Sequence, residues 1–364
     1  MAKSKKLKTF KTIGVFALLM LLPLSVFAQD EFSKIPLKGK IKSYTTYKLF
    51  GDSLNPSSVV VKKATYDKKD RLLTSFAETE RGSQSNEVNI FNGTTVTNYS
   101  CQCKDIDAFI KKFEIRDNAE LKKMRGYGTG QEPTKFVKIT QLDKRGNAAV
   151  VSNYFEMGYK TSEVRLWHDA ANNEIKKERY DFDGNLEETV LNTYDKAGKQ
   201  IGQTINRPKE GEYKYTWSYD KQGNNTDFLT YHNGALQSHQ KYNRTAKDGY
   251  TEFNTTNVLK NVTYIQKQVY YDAKGNEIKI INFNPDGSMQ SRHEFAYDKN
   301  GNLKTYSVYY KEDVLSTQYD YTVDAKGNAI EMKKKQLVTH HLADGRKEQR
   351  YEASKYKREI EYMK

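Results

Sequence analysis

The sequence predicts a mainly β protein, an antiparallel meander of β-hairpins with one short helical segment near residues 106–123. Two observations indicate this fold. A tyrosine-aspartate pair, followed by two variable residues, a glycine and a polar residue, recurs along the chain. Between the copies, aromatic residues alternate with polar ones. A repeated turn separated by alternating segments is the pattern of hairpins built one after another.

The repeated turn is clearest at 219–224, 271–276 and 297–302. Residues 194–198 also fit the motif, and weaker copies lie at 66–67, 143–146, 180–184 and 324–327. Its aspartate can accept a hydrogen bond from the backbone two residues on, and its glycine supplies a positive φ without steric cost. We therefore expect Gly223, Gly275 and Gly301 to have positive φ in short hairpin turns.

The strands between these turns have two different faces. Because side chains alternate along a strand, one face of segment 213–219 carries Tyr213, Tyr215, Trp217 and Tyr219. The other face carries small or charged polar residues, and the same alternation recurs at 293–297 and 319–323. Each sheet is therefore expected to have one aromatic face and one polar, solvent-exposed face. The alternation leaves open whether the sheet is open or closed.

The residue pattern of the sequence changes near residue 140. Residues 29–140 read as a β-rich N-terminal region, whereas the repeat dominates residues 141–364. Within the first region, apolar residues at Ile106, Phe109 and Ile110 follow a helical period and predict the short helix. We expect one array that folds together, because a single repeat buries little surface by itself.

The N-terminus has the composition of a secretory signal peptide at residues 1–28. Five lysines precede an apolar run over 13–27, and Val26-Phe27-Ala28 ends it with small residues. The alternative is an uncleaved anchor, although the run is shorter than the ~20 residues that a membrane span needs. We expect cleavage after Ala28, and therefore a protein exported to the periplasm, the outer surface or the medium.

The recurring turn resembles the YD repeat of the Rhs family, whose bacterial members and animal teneurin relatives build long antiparallel β-sheet wraps. The resemblance covers about residues 143–327, and more weakly 66–73. It implies an antiparallel wrap for this chain. Residues 357–362 read as a last strand rather than as an appended toxin. The chain is thus expected to be a short exported member without a C-terminal toxin domain.

The sequence contains few motifs that are typical of catalytic, metal-binding or cofactor-binding sites. The net charge of +14 is spread along the chain, and five of its lysines lie in the N-terminal segment, so we expect no nucleic-acid partner. The only cysteines, Cys101 and Cys103, could form a disulfide or remain two free thiols. The six histidines have no metal-binding spacing, and we find no nucleophile elbow or phosphate loop. We therefore expect no catalytic residue, metal or cofactor.

The strongest candidate for a binding site is the aromatic row Tyr213, Tyr215, Trp217 and Tyr219. Exposed rings with polar tips can stack on sugar rings. The alternative is that these rings form a packed face, because the chain holds 27 tyrosines and 16 phenylalanines spread over its strands.

The sequence therefore predicts an exported, non-enzymatic β-repeat protein that acts as a binding or structural module at the bacterial cell envelope. A glycan or an envelope protein is the expected partner. Two alternatives stay open: an accessory component of an Rhs-like toxin system, and a secreted hydrolase with an unrecognised site. An outer-membrane barrel is less consistent with the sequence, because segment 174–180 lacks the apolar alternation of a lipid-facing strand.

Overall fold

The computed structural model of the chain describes residues 37–50, 57–78, 83–103, 105–116, 135–310, 313–341 and 346–363. The predicted signal peptide lies outside these residues. The described residues form one short helix and 22 strands. In chain order the elements are β1 (Ile41–Phe50), β2 (Ser57–Tyr66), β3 (Leu72–Glu78), β4 (Gln84–Asn92), β5 (Thr95–Cys101), α1 (Ile106–Lys112), β6 (Lys135–Leu142), β7 (Ala148–Phe155), β8 (Lys160–His168), β9 (Glu174–Asp181), β10 (Leu186–Tyr194), β11 (Gln200–Arg207), β12 (Gly211–Tyr219), β13 (Asn225–His232), β14 (Ala235–Lys247), β15 (Tyr250–Asn257), β16 (Val262–Tyr271), β17 (Glu277–Phe283), β18 (Met289–Tyr297), β19 (Leu303–Tyr310), β20 (Val314–Val323), β21 (Ala329–His341) and β22 (Lys347–Tyr362).

Each strand pairs antiparallel with the strands before and after it in the chain. The first strand also pairs antiparallel with the last, along a register from Ile41 opposite Tyr362 to Leu49 opposite Lys355. The predicted mainly β architecture of consecutive hairpins is thus confirmed. Its finer form is a closed sheet rather than an open meander, because β1 and β22 each use the other as a second neighbour.

The repeated turn has the same hydrogen bonds wherever the motif is complete. At the copy that begins with Asp220, the Asp220 N–H donates to the Asn224 carbonyl and the Gly223 N–H donates to the Asp220 carbonyl, both at 2.9 Å. One carboxylate oxygen accepts from the Asn224 N–H at 2.8 Å, and the other accepts from its side-chain amide at 3.0 Å. The predicted positive φ is confirmed, at 84° for Gly223 and Gly275 and 79° for Gly301.

The same turn also occurs where the sequence pattern is harder to recognise. Between β8 and β9 the motif begins at Asp169, and Asn172 adopts a φ of 67° in the place of glycine. Between β17 and β18, Asn284 takes the place of the aspartate and its N–H donates to the Ser288 carbonyl at 2.9 Å. Asparagine replaces glycine in the first case because it tolerates the left-handed region better than other L residues.

At three copies of the turn, the motif tyrosine ties the turn to the hairpin before it. The Tyr219 hydroxyl donates to the Gln200 carbonyl at 2.8 Å, and Gln200 is the first residue of β11. Tyr194 makes the same contact with the first residue of β9 at 2.9 Å, and Tyr297 with the first residue of β17 at 3.0 Å. The tyrosine therefore connects two successive copies of the turn across neighbouring strands.

The last copy of the turn, at 324–328, closes the sheet. The Asn328 side chain is fully buried, and its carbonyl oxygen accepts from the Lys38 backbone N–H. Its amide donates to the Lys38 carbonyl at 3.0 Å and to the Tyr362 hydroxyl at 2.6 Å. We call Lys38, Asp324, Asn328 and Tyr362 the closure site, because they join the segment before β1 to the ends of β20 and β22.

The helix α1 is shorter than the predicted range. The Asp105 side chain caps it by accepting from the Ala108 N–H at 2.8 Å, and the buried Phe109 packs against residues of β5, β6 and β7. Residues 117–123 of the predicted range lie outside the described part of the chain. Directly before the helix, Cys101 and Cys103 form a disulfide with their Cα atoms 5.2 Å apart. The structure thus selects the disulfide over two free thiols.

The predicted boundary at residue 140 falls inside β6. This strand pairs with β5 on one side and β7 on the other, so the described parts of both predicted regions share one sheet. The division into a 29–140 and a 141–364 region remains a prediction.

The glycines at two hairpin turns should respond differently to alanine. Gly301 has a φ of 79° and open space where a Cβ would lie, so Gly301→Ala should cost only about 1 kcal/mol of backbone strain. At Gly158, with a φ of 85°, a Cβ would overlap the Glu114 carbonyl oxygen. Gly158→Ala should therefore lower the free energy of unfolding distinctly more, as measured in urea. Equal losses would contradict the observed packing of segment 113–116 on this turn.

The closure site should matter more than the same side chain elsewhere in the array. Asn328→Ala leaves part-buried backbone groups of Lys38 without their partner, and we expect a loss of about 2–3 kcal/mol. The matched control is Asn224→Ala, which removes one hydrogen bond to Asp220 and should cost about 1 kcal/mol or less. Equilibrium unfolding in urea measures both. A loss for Asn224→Ala as large as that for Asn328→Ala would argue against closure as the critical contact.

Candidate functional site

The predicted aromatic row lies on β12, in the middle of the repeat array. Side chains directly opposite each other on paired strands share a face of the sheet. Tyr213 lies opposite Ile205 of β11, and Ile205 lies opposite Val190 of β10. All three therefore lie on one face, which we call the aromatic face. The four predicted residues Tyr213, Tyr215, Trp217 and Tyr219 are half-buried, so their rings are neither wholly in the core nor wholly in solvent.

Two rings from the next strand extend this row. His232 lies opposite Tyr213 and Phe228 lies opposite Trp217. The Tyr213 and His232 rings are stacked with their centroids 4.4 Å apart, and Phe228 lies 6.2 Å from Tyr215 and 5.5 Å from Trp217. We call Tyr213, Tyr215, Trp217, Phe228 and His232 the aromatic platform. Sequence reasoning missed Phe228 and His232, although the hairpin turn at 220–224 sets the register that brings them opposite the row.

Buried apolar residues border the platform on its β11 side. Ile205 and Val190 are each only 3% exposed. The aromatic rings therefore lie next to a buried apolar strip of the same face. Gln203 lies opposite Tyr215, and its side-chain amide donates to the Asn192 side-chain oxygen at 2.9 Å. The platform thus adjoins an apolar surface and a fixed row of amide groups.

A fixed cation lies at the Tyr213 end of the platform. The Arg207 guanidinium carbon lies 5.7 Å from the centre of the Tyr213 ring. Arg207 contacts Glu210 at 2.8 Å and the nearly buried Glu188 at 3.0 Å, and these hydrogen bonds raise the pKa of Arg207. Lys177 also contacts Glu188, at 3.6 Å. The two carboxylates hold the guanidinium in place beside the rings.

Tyr219, the fourth predicted residue, has a different position from the other three. Its hydroxyl donates to the Gln200 carbonyl, and the Lys199 ammonium lies 5.1 Å from its ring centre. Burial raises the pKa of its hydroxyl. Tyr219 is the motif tyrosine of its turn, so its hydroxyl serves the fold; its contribution to binding stays a prediction.

A second aromatic row on the same face is packed more tightly. Phe295, Tyr306, Tyr319 and Tyr321 follow one another across β18, β19 and β20, with successive ring centroids 5.0–6.3 Å apart. Tyr306 is 5% exposed and Tyr321 is 7% exposed, and both belong to a core cluster with Met332. For this row the packed-face interpretation is right. The two rows differ because the second lies beside the strands that close the sheet.

A hydroxyl, an imidazole and a phenol form a chain on the aromatic face at β18 and β19. The Ser291 hydroxyl lies 3.1 Å from His293 Nε2, and His293 Nδ1 lies 2.8 Å from the Tyr306 hydroxyl. A serine beside a histidine is the first requirement of a nucleophilic site. However, Ser291 is only 6% exposed and its hydroxyl also accepts from Asn282 at 2.9 Å. The backbone here belongs to ladders with β17 and β19, which leaves no pair of free N–H groups for an oxyanion.

The turn carboxylates are satisfied within their own turns. The side-chain amide four residues on is the first cause that holds the pKa of Asp169, Asp181, Asp220 and Asp272 below the usual value of 3.8. Within the described part of the chain, no three histidine, cysteine, aspartate or glutamate side chains gather where they could hold a metal ion. In the same part of the chain, no helix is both long and apolar enough to cross a membrane.

Comparisons with known proteins give only distant likenesses. No protein-family model matches the sequence, and no curated protein matches it. Among solved structures, the chain is similar to a porin-like protein from Bacteroides uniformis, with 10% identity over 88% of this chain and 98% of that one and a TM-score of 0.28. It is also similar to a chain of the Photorhabdus luminescens Tc holotoxin pore, with 13% identity over 80% of this chain and 18% of that one and a TM-score of 0.25.

A third likeness is to a chain in the crystal structure of TcdB2-TccC3-Cdc42, with 10% identity over 85% of this chain and a TM-score of 0.19. This chain spans about a fifth of the length of each of the two toxin chains that it matches. Likenesses at these TM-scores and identities support no conclusion about the fold or the activity of this chain. The resemblance to the Rhs family remains a prediction.

The aspartate turns should make the fold sensitive to acid. A carboxyl whose pKa is lower in the folded state contributes stability that is complete above its unfolded pKa and is lost as pH falls through the folded value. We therefore expect a constant melting temperature from neutral pH down to about pH 4, and a steep fall below that as these aspartates protonate. Asp272→Asn should lower the melting temperature at neutral pH and reduce the acid-dependent fall. A melting temperature that rises below pH 4 would contradict this account.

Proposed function

We propose that this chain is an exported β-repeat protein that acts as a binding module at the cell envelope, and that the aromatic platform binds a glycan. One observation carries the proposal. Five rings lie on one face of β12 and β13 in two contacting groups, Tyr213 with His232 and Phe228 with Tyr215 and Trp217, and the β12 rings keep part of their surface in contact with solvent. An arrangement of this kind presents ring faces side by side over several residues.

The chemistry of the platform suits a sugar chain. An aromatic face is apolar, and it can cover the C–H face of a sugar ring while the sugar hydroxyls point outward to polar groups. Gln203 and Thr230 lie directly opposite Tyr215 on its two sides, and Arg207 lies at the Tyr213 end. The half-buried Thr230 and Arg207 are placed to bond hydroxyls at the edges of a ligand that is stacked on the rings, whereas Gln203 is buried and bonded to Asn192.

The rings are held in place before any ligand arrives. Each ring stacks on a neighbour, and the strands that carry them are paired on both sides. A surface that is already ordered loses little conformational entropy on binding, so stacking energy contributes more directly to affinity.

The rival interpretations find less support in the arrangement of side chains. The packed-face interpretation fits the row on β18–β20, where Tyr306 and Tyr321 are nearly inaccessible, better than it fits the platform. The hydrolase alternative has the Ser291–His293 contact in its favour, but the buried hydroxyl and the fully paired backbone favour a structural role for that contact.

The proposal predicts that Trp217 is needed for glycan retention. The mature protein, from Gln29 onward, is run in native gels that contain β-glucan, xylan, mannan, pectin or bacterial capsular polysaccharide. At least one polysaccharide should retard the parent protein, and Trp217→Ala should weaken that retention about tenfold because a stacking surface is lost. The melting temperature of the variant reports whether it remains folded.

Trp167 supplies the matched control. It is the only other tryptophan of the chain, it is 39% exposed, and it lies opposite Lys176, on the other face of the sheet. Trp167→Ala should leave retention unchanged. In a Trp167→Phe protein, Trp217 is the sole tryptophan, and its fluorescence should shift when the retained polysaccharide is added. Equal retention of the Trp217→Ala and parent proteins on every polysaccharide would refute the platform as a glycan site.

A further inference from the structure

The hairpin of β21 and β22 extends beyond the strands on either side of it. The two strands pair with each other out to His341 opposite Lys347. The neighbouring ladders stop earlier, because β20 pairs with β21 only as far as Gln336 and β1 pairs with β22 only as far as Lys355. Among the described residues, segment 347–354 of β22 therefore has a ladder on its β21 side only. We call segments 337–341 and 347–354 the overhanging ribbon.

The ribbon is exposed but fixed to the sheet. Each residue from Lys347 to Ala353 is exposed, and Tyr351 retains 43% of its accessible surface. The Tyr351 hydroxyl donates to the Leu315 carbonyl of β20 at 2.8 Å, and the Lys335 ammonium lies 4.5 Å from the Tyr351 ring centre. These contacts hold the ribbon in a defined direction. In the part of the chain that the structure describes, the outer edge of β22 over 347–354 has no strand paired with it.

An open edge of this kind is a template for another strand. Its backbone N–H and C=O groups have the spacing that an added antiparallel strand requires, and a two-stranded ribbon by itself is marginally stable. Charged side chains usually protect such edges from random pairing. Here the charges alternate in sign along the edge, as Glu348, Arg350 and Glu352 on one face. Alternation opposes registers that are centred on a charged residue and favours those centred between two opposite charges, at Gln349 or Tyr351. The Tyr351 register would use Glu352, whose carboxylate already contacts His340 at 2.9 Å in its own chain, so the Gln349 register is the better candidate.

We propose that the overhanging ribbon is a homodimer interface in which β22 pairs antiparallel with β22 of a second copy, centred on Gln349. A two-fold axis perpendicular to the sheet relates the copies, so residues that lie opposite each other must be on the same face. Centred on Gln349, each Glu348 lies opposite Arg350 of the second copy, which makes two oppositely charged pairs. Centring on Arg350 would instead place Glu348 opposite Glu352, and centring on Glu348 would place Arg350 opposite Arg346.

Charge reversal tests this register directly. We expect the mature protein to change from monomer to dimer in sedimentation experiments as its concentration is raised to about 100 µM. A dissociation constant in the micromolar range corresponds to the modest binding free energy of a small interface. Glu348→Arg places arginine opposite arginine, and Arg350→Glu places glutamate opposite glutamate, so each single variant should associate at least tenfold more weakly. The double variant E348R/R350E restores opposite charges and should dimerise like the parent. An equimolar mixture of the two single variants should form a heterodimer.

Two controls separate this interface from a general effect of charge. Lys221→Glu changes an exposed charge at a distant turn and should leave dimerisation unchanged. The melting temperature of Glu348→Arg should match the parent at low concentration, because this side chain is exposed. Arg350→Glu also loses exposed contacts with His340 and Glu352 in its own chain, so a small decrease in its melting temperature is expected. A parent protein that is monomeric throughout this range would overturn the proposal. Single variants that still dimerise, or a double variant or mixture that fails to recover, would overturn the proposed register and with it the interface.

Discussion

The pairing of β1 with β22 is the contact on which the rest of this structure depends. A meander of hairpins has two free edges, and each edge carries a row of unpaired backbone groups. Here the two edges satisfy each other over the ladder from Ile41 to Leu49, and the closure site fixes their ends through the buried Asn328. Because each repeat contacts mainly its neighbours, the array gains its cooperativity from this junction of residues that are more than 300 positions apart.

The repeat motif serves the backbone, which leaves other residues for binding. Outside the closure site, the motif aspartate and asparagine bond each other within the turn, as Asp220 and Asn224 do. The motif tyrosine can donate to the hairpin before it, as Tyr219 does to Gln200. The side chains at the strand centres do not make these turn-stabilising hydrogen bonds. Tyr215 and Trp217 therefore lie on the aromatic face with part of each ring unused, which is why the binding proposal rests on strand centres rather than on the repeated positions.

The aromatic face is not uniform around the sheet. Tyr213 and Trp217 on β12 have the same chemistry as Tyr306 and Tyr321 on β19 and β20, and they lie on the same face by strand register. Their exposures differ because Tyr306 and Tyr321 pack with Met332 and Tyr356 beside the closing strands, whereas the β12 rings border only a narrow buried strip at Val190 and Ile205. Neighbouring strands, and not the aromatic residues themselves, decide which rings are core.

Local chemistry in the sequence determined the turns, the strand faces and the order of pairing. An aspartate that caps its own turn and a glycine that needs a positive φ act within five residues, so Gly223, Gly275 and Gly301 could be placed from the sequence. Alternation likewise put Tyr213, Tyr215 and Trp217 on one face. The turn at Asp169 was harder to recognise because Asn172 replaces glycine. The short turn at 220–224 also sets the register of Phe228 and His232. Only the tertiary structure decided that the sheet closes and that Asn328 joins the two ends. Those outcomes depend on register and on contacts between distant segments, and no local pattern in a single strand encodes which partner will lie beside it.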